Sequence, residues 1–361
     1  MDILQPQLLW IGKRCYRINS VAKETEYEHQ QPTRNEYIED DLYGDEDAIV
    51  QDDDIDVIKV SANDYKFTFH VPQAFYGAII GNKGSVKKRI EGDTRTEIII
   101  PKHSNNNNKH GSLNTISILG KKRESVCLAF RRIGLILINC RNKQRPTHFT
   151  CVRVVEQNIK HRFIAFKDDI LKSGSTVGLQ EEMFTQPDKL HITISVLVLM
   201  DDQDRRRAVD LLNDCRESIV IPIKNKHGGA ISANIRGVEI MNDDESSVRY
   251  LYGKIESNAL QEIADAILKR FIDAGLGKRE FDRDTVKLHM TLINANLTNR
   301  DEDGNASAVQ KFKAKTFDAR HILEKYAQYE FGSQQFNDIY LSIMQTKDVD
   351  GFYKCTSTIQ F

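Results

Sequence analysis

Six residues recur in this chain in nearly the same form: Lys189-Leu190-His191-Ile192-Thr193-Ile194 and Lys287-Leu288-His289-Met290-Thr291-Leu292. Both windows have the β-branched, alternating character of strands, and side chains on a strand alternate between its faces. His191 and Thr193 therefore share one face, with Leu190, Ile192 and Ile194 on the other. The second window repeats this phase, with His289 and Thr291 opposite Leu288, Met290 and Leu292. Each strand has an apolar face that must be buried, and each turns an imidazole and a hydroxyl the other way.

Two such strands facing across a cleft would supply the parts that phosphodiester hydrolysis needs. One neutral imidazole takes a proton from the nucleophile, one protonated imidazole gives a proton to the leaving oxygen, and two hydroxyls hold phosphate oxygens. Histidine suits both roles because its ordinary pKa of about 6.5 keeps both forms accessible near neutrality. This chemistry calls for no metal and no other cofactor. The alternatives are two ordinary strand histidines, or a zinc site, which has no third ligand at helpful spacing. The six cysteines, Cys15, Cys127, Cys140, Cys151, Cys215 and Cys355, form no Cys-x-x-Cys pair, which argues against structural zinc and a disulfide framework.

At 361 residues the chain has room for two or three domains. Its net charge of −1 conceals a strong segregation. Glu24 to Asp56 holds fourteen acidic residues against Arg34 alone, a net of −13, while Met1 to Lys23 sums to +3. Residues 57–361 therefore carry +9, because −1 minus −13 minus +3 leaves +9. A basic body favours a polyanionic partner, and the acidic run reads as a disordered, solvated linker. Ahead of it, Pro6-Gln7-Leu8-Leu9-Trp10-Ile11 and Tyr16 read as a docking peptide for a partner. No stretch has the roughly 20 apolar residues that span a bilayer, and no signal-peptide layout opens the chain, so a soluble intracellular protein is expected.

From Asp64 the pattern becomes structured. Tyr65, Phe67, Phe69 and Val71 alternate as a strand, and Gln73 to Ile80 reads as a short helix. Gly81-Asn82-Lys83-Gly84 follows, then a second helix over Ser85 to Glu91, strands over Thr94 to Ile100 and Leu113 to Leu119, and a helix over Lys121 to Asn139. An asparagine-rich loop, Ser104 to Gly111, separates the two strands. Arg141 to Thr147 reads as a polar connection. Beyond it the spacing predicts helices over Ile159 to Leu171 and Asn258 to Ala274. Strands are predicted over His148 to Val155, Leu190 to Leu199, Ala233 to Ile240, Val248 to Glu256, Val286 to Ile293 and Asp338 to Met344. Asn258 and Gln261 resemble a capping box at the start of the second helix. The mixture is α+β rather than a strict βαβ alternation.

The tandem His-x-Thr strands, about a hundred residues apart, resemble the 2H phosphoesterase superfamily over residues 149–361. That superfamily includes the bacterial RNA 2′,3′-cyclic phosphodiesterases and a related domain of some A-kinase anchoring proteins. The likeness implies a bilobal, pseudo-symmetric fold with His191, Thr193, His289 and Thr291 lining a central groove. The strand-helix-helix-strand-strand-helix order around Gly81-Asn82-Lys83-Gly84 resembles a type I KH domain (βααββα), whose glycines let the backbone approach a sugar-phosphate chain. On that likeness Gly81, Asn82, Lys83 and Gly84, with Lys87, Lys88 and Arg89 on the next helix, would grip single-stranded RNA. Ile79, Ile80 and Ile98 would form an apolar floor, with a core role open for at least one of them.

The combination resembles a family of KH plus 2H subunits of a helicase-containing complex. The shared parts are an N-terminal Pro-Gln-Leu-Leu peptide with Lys13-Arg14-Cys15-Tyr16-Arg17, an acidic spacer, one KH domain and one 2H domain, with Thr147-His148-Phe149 and Met241-Asn242-Asp243-Asp244. The resemblance implies residence in the nucleus, roles in transcription coactivation and alkylation repair, and helicase-complex contact through the N-terminal region. It organises the chain as 1–56 docking peptide and linker, 57–140 KH domain, 141–148 connection and 149–361 2H domain. Three functions remain open from sequence: a hydrolase of RNA ends, an adaptor whose groove binds a nucleotide without turnover, and a scaffold working through its tail.

Overall fold

The computed structural model describes residues 8–11, 14–17, 57–61, 64–101, 114–174, 176–279, 284–299 and 315–361. The acidic run and the asparagine-rich loop lie outside these residues. The chain divides into two units, Met1–Asp52 and Asp53–Phe361. In the first, β1 (Leu8–Ile11) and β2 (Arg14–Arg17) pair antiparallel, so the docking-peptide segment contains a hairpin.

The second unit begins with a four-stranded antiparallel sheet. In chain order its elements are β3 (Ile58–Ser61), β4 (Asp64–His70), α1 (Tyr76–Ile80), α2 (Ser85–Thr94), β5 (Thr96–Ile99), β6 (Thr115–Gly120) and α3 (Arg123–Lys143). The spatial order is β3-β4-β6-β5. The order from β4 to α3 matches the sequence expectation, and β3 adds an edge strand that its single polar-apolar alternation did not reveal. Val126, Ala129, Ile133 and Ile136 of α3 bury one stripe against Ile116 and Ile118 of β6, Ile98 of β5 and Ile79 of α1. That spacing of three and four is what an amphipathic helix on a sheet requires. α3 outruns its predicted end by a turn, so Arg141 sits inside the helix rather than in a polar connection.

The remainder is built on a nine-stranded sheet. Its elements are β7 (His148–Arg153), α4 (Gln157–Ser173), β8 (His191–Leu197), α5 (Asp202–Cys215), α6 (Ile221–Lys226), β9 (Ile231–Ile240), β10 (Tyr250–Glu256), α7 (Asn258–Asp273), β11 (Gly277–Lys278), β12 (His289–Asn294), α8 (Arg320–Tyr326), β13 (Glu330–Phe336), β14 (Asp338–Ile343) and β15 (Cys355–Gln360). The strand order β13-β9-β10-β12-β8-β7-β14-β15, with β11 beside β8, puts four strands on each side of the seam between β12 and β8. The two motif strands thus meet at the centre of a pseudo-symmetric sheet. They are antiparallel neighbours joined by the pair Met290 and Ile192, rather than strands of separate walls.

One face of this sheet is closed by α4 and α7. Ile159, Phe163 and Phe166 of α4 and Ile263, Ile267 and Phe271 of α7 share a core with Ile192, Ile194, Met290 and Leu292. Burial of these apolar faces commits His191, Thr193, His289 and Thr291 to the opposite face. The cap of α7 differs from expectation: the Ser257 hydroxyl accepts the Leu260 amide at 3.1 Å, one residue earlier than the sequence pattern indicated. The sequence reading missed the helical run from α5 to α6. Pro222, at the start of α6, lacks an amide donor, and the chain passes it through a π turn, Arg216–Val220.

Candidate active site and nucleic-acid interface

The antiparallel pairing of Ile192 with Met290 sets the geometry of the four motif side chains. Continuing that register puts His191 across from Thr291 and Thr193 across from His289, a square with histidines on one diagonal and threonines on the other. The outer neighbours repeat the symmetry. Arg153 of β7 lies opposite His191, and Lys254 of β10 lies opposite His289. Each imidazole therefore has a hydroxyl on its inner side and a basic residue on its outer side.

Both imidazoles are held in one tautomer by their own motif. Nδ1 of His191 lies 2.6 Å from the Lys189 carbonyl, and Nδ1 of His289 lies 2.6 Å from the Lys287 carbonyl. A carbonyl only accepts, so each Nδ1 carries the proton and each Nε2 keeps its lone pair for the groove. The lysines have a second contact. The Lys189 ammonium lies over the Tyr353 ring at 5.0 Å and the Lys287 ammonium over the Tyr252 ring at 4.9 Å, and these are the rings each histidine meets edge-on.

The two halves differ in their walls. Phe149, Phe352 and Tyr353 surround His191, with ring centroids 5.1, 5.9 and 5.6 Å away. Phe352 and Tyr353 come from the turn between β14 and β15, and Arg153 stacks on Phe352 at 4.2 Å while pairing with Asp350 at 2.7 Å. Burial pushes the His191 pKa down to about 4, against the raising effect of the Lys189 carbonyl. His289 is also lowered, first by burial and then by the Lys287 charge. Behind it the Tyr252 hydroxyl donates to Glu239. Burial raises the Glu239 pKa, but Tyr252 and Lys287 outweigh that and hold the carboxyl below its ordinary value. The hydroxyls of Thr193 and Thr291 make no side-chain hydrogen bond among the described residues. Next to this square, Thr193, Thr285, Lys278, Lys287 and His289 line one cavity.

In the first sheet, Gly81 has φ 71° and ψ 179°, and a Cβ there would lie 2.3 Å from Val86. Only glycine fits that turn. Lys83 adopts φ 51° and Gly84 φ 80°, and Asn82 and Lys83 project into solvent. Of the helix cations, Lys88 is exposed, Lys87 pairs with Glu91 at 3.4 Å and Arg89 is half-buried. The expected apolar floor is corrected. Ile79 and Ile98 are fully buried core residues, whereas Ile80, next to the loop, is 36% exposed and Ile99, on the other face of β5, is 46% exposed. Strand alternation explains the difference within β5, since Ile98 and Ile99 face opposite ways.

Residues 146–361 match the family model described as the AKAP7 2'5' RNA ligase-like domain, and residues 66–134 match the KH domain model. Activating signal cointegrator 1 complex subunit 1 of Mus musculus is 32% identical over 376 residues, covering 100% of this chain and 100% of its own. The chain belongs to the activating signal cointegrator 1 complex subunit 1 family. Among solved structures it is similar to a Thermus thermophilus protein (TM-score 0.37, 12% identity, 59% of this chain and 97% of that one). It is likewise similar to LigT of E. coli complexed with 3'-AMP (TM-score 0.35, 12% identity, 60% and 99%). In this member of the family, a KH domain and a 2H domain stand in tandem.

In this chain the KH and 2H parts meet through buried charge. Arg141 of α3 donates to Asp204 at 2.9 Å and to the Val198 carbonyl, and its guanidinium lies 5.3 Å from the Phe75 ring. His70 Nε2 lies 2.8 Å from Asp201, which also accepts from Asn114 at 3.1 Å. His70, Asp201 and Asp204 thus form a cluster with ligand-type atoms within 4.8 Å of one another, which sequence spacing did not indicate. The Arg141 guanidinium already neutralises part of it, which disfavours a further cation. Residues that sequence reasoning missed include Lys189 and Lys287, although the repeated windows themselves begin at those lysines. Tyr353 and Phe352 had no such signal, because only the fold brings that turn beside His191.

Proposed function

We propose that the 2H groove acts on phosphodiesters at RNA ends, with His191 as general base and His289 as general acid. The observation that carries this reading is the matched pair of Nδ1–H to carbonyl contacts, which leaves both Nε2 atoms facing the groove. With a 2′,3′-cyclic phosphate in the groove, Nε2 of His191 removes a proton from water as the water oxygen attacks phosphorus. The bond from phosphorus to one ribose oxygen breaks, and protonated His289 delivers its proton to that oxygen. Thr193 and Thr291 donate to the non-bridging oxygens, and Arg153 and Lys254 supply positive charge as the phosphorane forms. His191, walled by aromatic rings, is the harder of the two to protonate, which favours it as the base.

The KH loop supports single-stranded RNA binding. Gly81 and Gly84 admit a backbone close to the loop, and Lys83 and Lys88 add counterion-release energy. The family membership leads us to propose further that the chain is the nucleic-acid-binding subunit of a helicase-containing complex in the nucleus, serving transcription coactivation and alkylation repair. In this reading Met1 to Lys23 makes the contact with the complex.

The test incubates short RNAs bearing a 2′,3′-cyclic phosphate or a free 3′ end with wild type and with the His191→Ala/His289→Ala double variant. Product from wild type alone supports hydrolysis and identifies the bond. Tight RNA retention with no product from either protein on any of these ends would replace the hydrolase with an adaptor that binds ends without turnover.

A further inference from the structure

Past the two histidines, β8 runs on beyond its pairing with β12. Beyond Thr193, the β8 face that looks into the groove carries Val196, which packs with Phe149, Cys151 and Phe352. The two-residue strand β11 pairs with this end of β8 and sets Lys278 opposite Val196. Lys278 lines the same cavity as Thr193, Lys287 and His289. β11 is seated tightly: a Cβ on Gly277 would come within 3.0 Å of the backbone of Phe271 and Ile272 in α7. The base of Lys278 is thus fixed against a helix of the core, while its side chain remains partly exposed.

The ammonium of Lys278 meets only a neutral partner among the described residues. Nζ lies 3.2 Å from the carbonyl of Gln144, in the connection between α3 and β7. Among the described residues no carboxylate forms an ion pair with it, and a surface carbonyl is readily exchanged for a phosphate, which brings full charge. The cavity therefore holds two ammonium groups, Lys287 next to His289 and Lys278 at the end nearer the connection to the KH domain. Val196, opposite Lys278, lies three residues along β8 from Thr193, roughly 10 Å at the rise of a strand, which separates Lys278 from a phosphate held at the square of His191, Thr193, His289 and Thr291.

We propose that Lys278 is a positioning residue that holds a second backbone phosphate, so that the 2H groove takes a continuing single strand rather than an isolated cyclic nucleotide. This rests on reading the two-histidine groove as a phosphodiester site. The strand leaves the histidines along β8, crosses Lys278 and heads for the connection that leads into the KH domain. A substrate with one phosphate leaves Lys278 on the Gln144 carbonyl, whereas a longer strand recruits it.

The full chain carrying Lys278→Gln separates these cases. Turnover is measured on a dinucleotide and on a ten-nucleotide single strand, each ending in a 2′,3′-cyclic phosphate. The expected result is a KM for the long strand raised about tenfold at unchanged kcat, with the dinucleotide unaffected. Equal losses on both, or no loss on either, would overturn the assignment. A second measurement is independent of turnover: binding of the ten-nucleotide strand with a 3′-phosphate end as salt is varied. Losing one phosphate contact lowers the slope of log K against log salt by about 0.7. An unchanged slope, or a wild type that does not hold the strand, would overturn the proposal even if the histidines prove inactive. Failure of the catalytic reading alone would appear instead as no product with the slope change preserved.

Discussion

The guanidinium of Arg141, near the C-terminal end of the last KH helix, donates at 2.9 Å to the carboxylate of Asp204 in the first turn of a 2H helix, and both side chains are buried. A buried ion pair adds little against a hydrophobic replacement, but breaking it by removing one partner leaves an uncompensated charge. Asp204 also accepts the Met200 amide at 3.1 Å, so the pair anchors the turn into α5 as well as the domain contact.

Replacing Arg141 with alanine is expected to cost about 3–5 kcal/mol of stability. Urea unfolding followed by fluorescence and by domain-specific proteolysis checks this. Arg141→Met, which keeps volume without charge but still strands Asp204, should recover little. The double change Arg141→Met/Asp204→Leu should recover most. A single variant that unfolds like wild type would show that the pair is not buried in solution.

The pH dependence of kcat/KM should be a bell displaced to the acid side. Its lower limb reflects protonation of His191 at about 4, and its upper limb reflects loss of the His289 proton below the ordinary imidazole value. Tyr353→Leu, which opens one aromatic wall, should move the lower limb upward while leaving the upper limb in place. An optimum above pH 7 in the free protein would contradict this assignment of roles.

Acid should weaken the fold in a defined window. Burial first, and the Arg205 charge second, hold the His148 pKa down to about 4, as burial does for His191. Because the native values are depressed, the unfolded chain binds more protons than the native one between pH about 6.5 and about 4. Stability is therefore lost as pH falls through that window, by at most about 1.4 kcal/mol per pH unit for each group. His148→Gln should flatten the fall by one proton. An unchanged slope in thermal melts recorded from pH 7 to pH 4 would show that His148 titrates normally.

Gly81→Ala places a Cβ against Val86 at 2.3 Å on a backbone with positive φ, whereas Gly84→Ala meets nothing within 4 Å and faces only the backbone penalty. The first should cost about 1–3 kcal/mol and the second about 1 kcal/mol. RNA retention in gel shifts should fall with both, and 2H activity on a dinucleotide should not change with Gly84→Ala.

The placement of the candidate residues was legible in the sequence because they sit on regular strands. Alternation alone assigned His191, Thr193, His289 and Thr291 to one face, and the structure brings all four together. The relation between the two strands was not legible. Nothing in either window says that Ile192 and Met290 become neighbours, so a cleft between separate walls was expected where one sheet exists. The KH likeness offered Ile79, Ile80 and Ile98 for an apolar floor with a core role open for at least one of them, and packing against α3 makes Ile79 and Ile98 core while Ile80 stays exposed. Arg141 and Asp204 were invisible as partners because each, taken alone, reads as a surface charge on a polar segment.

The sheet order also makes translation order into assembly order. The half that carries His289 is complete once β13 has been synthesised, but the His191 half waits for β14, β15 and the turn that brings Phe352 and Tyr353. A message interrupted before codon 338 would yield a KH domain able to grip RNA and a histidine without its wall. Completion of the groove thus waits until the ribosome has passed these last strands.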